Sequence, residues 1–180
     1  LVALALAGLG AGCVAPTTEI ASNQDPAAPE NVDKLFIISH MARVNVTWAN
    51  ALESALREEL KRMKVAVAIQ SRSPVAVQAD RTRYAATIET FEPESILVLV
   101  PREGTVDRQG NIMQQRFEAG LFKHTAGGDE GRPLLWRAIV SLEPAGYALT
   151  TKDMATLARD LVLKLAEDGI LAWREPLMTR

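Results

Sequence analysis

Two apolar rhythms divide this chain. Leu35-Phe36-Ile37-Ile38, the VAVAIQ run from Val65 to Gln70, and Ile96-Leu97-Val98-Leu99-Val100 are short, nearly unbroken apolar stretches, the pattern of strands covered on both faces. Between the first two, Trp48, Leu52, Leu56 and Leu60 recur every four residues with Ala55 and Met63 alongside, laying one apolar stripe along a helix over 47–63. Lys61, Arg62 and Lys64 close that helix, at the end where its dipole favours cations. Between the second and third runs, Tyr84, Ile88 and Phe91 make the stripe of a second helix that ends at Pro93. It begins at Ser73-Pro74, with Pro in the first helical position, or at Asp80 as N-cap; the VAVQA stretch over 75–79 also reads as a strand extension. Strand, helix, strand, twice over, implies right-handed parallel crossovers.

Beyond Val106 the period shortens to two. Ile112 to Lys123 places Gln115, Phe117, Ala119 and Leu121 on one face, and Leu134 to Leu142 places Leu134, Trp136, Ala138, Val140 and Leu142 on one face, opposite Arg137 and Ser141. Such segments are strands half covered by helices. The stretch 125–131, with Gly127-Gly128-Asp129-Glu130-Gly131, joins them; it precedes no helix and carries two carboxylates, so it reads as a hairpin loop and not as an anion cradle. Thr150-Thr151-Lys152-Asp153 resembles a capping box, and Met154, Leu157, Ala158, Leu161, Val162 and Leu165 follow at helical spacing up to Gly169, the natural stop. The order βαβαβββα predicts a single α/β domain over 34–180, one mixed sheet of about five strands packed by about three helices. Trp173 lies beyond the last helix and either packs back or offers a contact surface.

Ahead of this domain the composition changes. Residues 1–12 contain only Leu, Val, Ala and Gly and no charge, the make-up of a signal h-region. The run is too short to span a bilayer, which takes about 20 apolar residues, and without an initiator Met or basic n-region it is expected to begin inside a longer precursor. It ends in Leu9-Gly10-Ala11-Gly12-Cys13, which resembles the lipobox of bacterial lipoproteins. That resemblance implies cleavage between Gly12 and Cys13 and lipidation of the Cys13 thiol. The sequence departs from the pattern at Gly10, where the family usually has Leu, and Leu9 stands one step further away. Val14, in place of Asp, resembles sorting to the outer membrane. Residues 13–33 are rich in Pro, Ala, Ser, Thr, Asn and Asp, with Ile20 the one large apolar residue besides Val14 and Val32. By composition they form a flexible tether behind the lipid, about 25 Å from end to end as a coil and roughly 70 Å when stretched.

The chemistry on offer is sparse. Cys13 is the sole cysteine, so no intramolecular disulfide forms, and lipidation leaves no free thiol. A formal net charge of −2 with 23% charged residues argues against a general nucleic-acid binder. His40 and His124, the two histidines, stand without carboxylates at ligand spacing, so no structural metal and no cofactor are expected. Ser39 and His40 fall at the carboxyl end of the first parallel strand, and Arg102 and Glu103 just past the third, where crevices form in open α/β sheets. They form either a catalytic site or, since neither a GxSxG elbow nor an orienting acid accompanies them, a solvated loop, and no catalytic residue is assigned. A basic stretch of Lys61, Arg62, Lys64, Arg72, Arg81 and Arg83 reads as a helix C-terminus followed by a solvated loop, or as a site for lipid head groups or an acidic partner.

The element order, with its closing amphipathic helix, is similar to the α/β domains of some envelope lipoproteins: the TolB amino-terminal type, the penicillin-binding-protein activators and the curli-export lipoprotein. This implies a non-catalytic domain that binds another envelope protein. The expectation is a lipid-anchored adaptor or assembly module facing the periplasm. Its alternatives are an envelope hydrolase using Ser39 and His40, and a carrier of a small apolar or lipid ligand.

Overall fold

The computed structural model describes residues 16–72, 77–124 and 133–172, and of 77–81 the backbone alone. Ten elements follow in order: β1 (Thr17–Gln24), β2 (Lys34–Ser39), a 3-10 turn (Met41–Arg43), α1 (Val46–Arg62), β3 (Ala66–Ser71), α2 (Val77–Phe91), β4 (Ser95–Val106), β5 (Ile112–Lys123), β6 (Leu134–Glu143) and α3 (Thr151–Glu167). The strands make one six-stranded sheet in the order β1-β6-β5-β4-β2-β3. β2 runs parallel to β3 and β4, while the β4, β5, β6 and β1 neighbours are antiparallel. The fold is thus the mixed α/β sheet with three helices that the spacing predicts.

α1 and α3 lie together on one face of the sheet. Their stripes, Trp48, Leu52, Leu56 and Leu60 on α1 and Met154, Leu157, Leu161 and Leu165 on α3, seal against Leu35, Ile37, Leu97, Leu99, Phe117 and Leu121 among others. Asn45, one residue ahead of α1, accepts the Trp48 amide with its side chain at 3.1 Å. Thr150 and Asp153 close the expected capping box, and Gly169 takes φ +77° just past α3, a left-handed conformation that costs glycine little. On the other face, α2 covers only the β2–β3 flank, where Tyr84 meets Phe36 edge-on at 6.3 Å. Its helical backbone from Val77 rules out the strand reading from that residue on, while the Ser73-Pro74 start lies outside the described residues.

The flexible tether expected over 13–33 is corrected from Thr17 onward. β1 pairs with β6 from Thr17↔Glu143 to Gln24↔Trp136. Strand addition to a free edge uses backbone N–H and C=O groups, which composition does not register. Side chains then secure it: Ile20 packs on the core, and the Ser22 hydroxyl donates to Asp168 at 2.7 Å. The chain after β1 is held as well, with the Val32 amide bonded to the Ile170 carbonyl at 2.8 Å and Val32 fully buried. Consequently only Val14, Ala15 and Pro16 separate Cys13 from the sheet. A smaller correction concerns Leu134, which is 43% exposed while Leu135 is buried, because the β5–β6 register shifts between Leu121 and Phe122.

Candidate functional site

Ser39 and His40 close β2, as expected, but they do not form a catalytic pair. Ser39 is fully buried and its Oγ accepts the Met41 amide at 3.3 Å. Its carbonyl is occupied by the Arg72 amide, and the His40 amide is spent on the Leu99 carbonyl. His40 Nδ1 has no partner. Burial, reinforced by the charges of Arg43 and Arg72, lowers the His40 pKa to about 4. A catalytic base is oriented by an acceptor that stabilises its cation; here two guanidinium groups do the reverse. The hydrolase reading therefore lacks its nucleophile–base contact and its orienting group.

Arg102 and Glu103 do not lie past the third strand either, since β4 continues to Val106. They sit at a bulge between Pro101 and Gly104. The carbonyls around that bulge are satisfied by buried Gln115, whose Nε2 donates to Arg102 O at 3.0 Å and Arg116 O at 2.9 Å. Gly104 permits this approach, because a Cβ there would stand 2.7 Å from Gln115 Oε1. Sequence spacing places Gln115 on the apolar face, and only the bulge shows why a polar residue belongs there.

The bulge aims Arg102 across the face opposite α1 and α3, over strands that no described helix covers. Its guanidinium pairs with Glu118 of β5, which also takes Arg137 of β6 at 2.7 Å. The Arg102 hydrogen bond, helped by Arg137, holds the Glu118 carboxyl below its ordinary value. Arg116 stands beside them, exposed. Together with Glu103 and Ile139 these residues line a shallow depression of about 370 Å³. A wider open groove of about 710 Å³ continues along Ala21, Asn23, Asp25 and Leu135. The Arg102 and Arg137 side chains are more than half exposed, so the ion pairs are solvated and arrange charge more than they stabilise the fold.

The remaining candidates separate in space. Lys61, Arg62 and Lys64 sit at the end of α1, with Arg62 paired to Glu59, whereas Arg72 lies beyond the opposite end of β3. Across that strand lie about 20 Å, so the basic stretch is not one patch; the Arg81 side chain is outside the described residues. Trp48 and Trp136 are core residues, and Trp136 Nε1 donates to Asp168 at 2.7 Å. Cys13, Gly12, the 125–131 loop and Trp173 lie outside the described residues. Among the described residues no group of His, Cys, Asp or Glu is placed to hold a metal ion, and no helix is long and apolar enough to cross a membrane. An apolar void lined by Met41, Leu52, Phe117 and Leu161 measures about 10 Å³, room for one water at most and none for an apolar ligand.

No family model matches this chain, and no curated protein does. Among solved structures it is similar to the PelC dodecamer from Paraburkholderia phytofirmans, with 12% identity, a TM-score of 0.47, and coverage of 87% of this chain and 100% of that one. A substituted form of that dodecamer matches with a TM-score of 0.49 at 12% identity, over 85% of this chain and 98% of that one. Lipoprotein GNA1162 from Neisseria meningitidis matches with a TM-score of 0.37 at 12% identity, over 74% of this chain and 98% of that one.

Proposed function

We propose that this protein is a lipoprotein of the bacterial envelope, acylated on Cys13 after cleavage behind Gly12, anchored to the outer membrane and facing the periplasm. Its folded domain acts by binding an envelope protein and not by catalysis. The observation that carries the anchor is the uncharged apolar run over 1–12 closing on small residues and the chain's sole thiol. Support for binding comes from the bare sheet face, where Arg102, Arg116, Arg137 and Glu118 surround Ile139, while Ser39 and His40 stay buried and unpaired with each other. Mass spectrometry of the mature N-terminal peptide tests the anchor: acyl-modified Cys13 is expected, and an unmodified peptide beginning elsewhere sinks it. A photo-crosslinker placed at Ile139 in intact cells tests the face. One discrete envelope-protein adduct is expected there and none from exposed Glu58 on α1; equal yields from both positions count against the binding face.

A further inference from the structure

Pairing of β1 from Thr17 leaves three residues between Cys13 and the sheet. A lipid on Cys13 is joined to Thr17 by four residue steps, a reach of at most about 14 Å. Thr17 is the first residue of the sheet, and its row continues through Glu143 of β6 and Gln114 of β5, hydrogen-bonded to each other at 3.0 Å, to Thr105 of β4. This row is the end of the sheet from which the β4–β5 turn and the β6–α3 loop project. The far end of β1, at Gln24, lies about 23 Å further along the strand, beyond the reach of the lipid when the strand stands upright.

Two of the exposed large apolar side chains occupy this same tip. Val106 ends β4 and Tyr147 lies in the β6–α3 loop, each 63% exposed. The loops are tied together, since the Tyr147 hydroxyl bonds Asp107 and Gln109 across the turn and the Leu149 amide donates to the Ile112 carbonyl at 3.0 Å. Asp107 is engaged further by the amides of Gln109 and Asn111. Its carboxylate thus serves the turn, and Glu143 is held by Gln114. Exposed Arg108 and Lys152 stand beside these two carboxylates, so the tip carries both signs of charge. An aromatic ring with its hydroxyl tied back, a neighbouring valine and a rim of mixed charge suit the headgroup boundary of a bilayer.

We infer that this tip, Val106, Arg108, Tyr147 and Lys152, rests on the bilayer that holds the lipid, so that the domain stands with β1 upright and the bare sheet face accessible from the side. The inference rests on the lipidation of Cys13 proposed above. Acylated protein is extracted from membranes and reconstituted in vesicles of phosphatidylethanolamine and phosphatidylglycerol. Because acylation occupies the native thiol, Val106→Cys, Tyr147→Cys, Asn23→Cys and Leu134→Cys each take a single environment-sensitive fluorophore. Brominated lipids are expected to quench the labels at positions 106 and 147 about threefold or more over those at 23 and 134. Equal quenching at all four positions, or stronger quenching at 23, overturns the upright placement, the latter in favour of a domain lying on its β1 edge. The mass of the N-terminal peptide from the same preparation reports acylation separately, so loss of the anchor reading and loss of the tip placement are read on different measurements.

Discussion

Trp136 and Arg137 are neighbours on β6 and inhabit opposite worlds. Trp136, 1% exposed, is sealed beneath the helices, with its indole N–H given to Asp168. Arg137 points to the uncovered face and shares Glu118 with Arg102 in solvent. One residue step crosses the sheet, so a single strand both holds the domain together and presents it. The parallel flank differs: β2 and β3 have α1 on one side and α2 on the other, leaving less surface for display. Among the described elements the antiparallel flank is covered on one side, which leaves its other side for display.

Substitution of this adjacent pair should show the contrast at its largest. Trp136→Ala is expected to cost about 3–5 kcal/mol in urea-induced unfolding, through lost contacts and a cavity. A cost below about 1 kcal/mol would deny the sealed face its structural role.

The next effect belongs to Asp168, which ties β1 and β6 to the end of α3. Burial opposes its ionisation, but hydrogen bonds from Lys164, Ser22 and Trp136 outweigh it and hold the carboxyl below its ordinary value. Asp168→Ala should cost about 2 kcal/mol and raise amide exchange in β1 ahead of the rest of the sheet. Because the folded-state value is depressed, this stabilisation is present above the ordinary carboxylate range and is lost as pH falls through it. Unchanged β1 exchange would show that backbone pairing alone retains the strand.

His40 gives a smaller, pH-dependent effect on the parallel flank. Its folded-state value of about 4 lies below the ordinary 6.5, so the unfolded chain binds the proton more readily. Stability should therefore fall as pH drops from 6.5 towards 4, by of order 1–2 kcal/mol once the shift is discounted for solvent screening, and should change little for this reason above 6.5. His40→Gln should flatten that slope; a slope that survives belongs to other groups.

Smallest of all, Arg137→Ala should change stability by no more than about 0.5 kcal/mol, since its ion pair is solvent-exposed. The same substitution should weaken the crosslinked adduct formed from Ile139. A large stability loss would mean that the uncovered face is part of the structural core.

Much of this architecture is legible in residue spacing. The every-four-residue stripes mark α1 and α3, and unbroken apolar runs mark β2 and the first half of β4, because burial is the largest local signal a chain carries. β1 escapes that signal, since what places it is the open edge of β6, more than a hundred residues away. Gln115 escapes it too: its carbonyl partners exist only because β4 bulges at Arg102 and Glu103. Ser39 and His40 are located correctly at a strand end, but their emptiness as a catalytic pair depends on who arrives around them, here Met41, Arg43 and Arg72 instead of an acid.

By its sequence alone the chain determines the helix stripes, the parallel and antiparallel halves, the single thiol at Cys13 and the signal-like run before it, all of which are local in pattern or composition. Only the tertiary structure decides that the supposed tether becomes an edge strand, that Arg102, Arg137 and Glu118 meet on the face opposite α1 and α3, and that Val106 and Tyr147 share the end of the sheet at which β1 begins. The physical reason is that a backbone edge, a bulge and a cross-strand ion pair are relations between distant segments, and their energies exist only once folding has set those segments side by side.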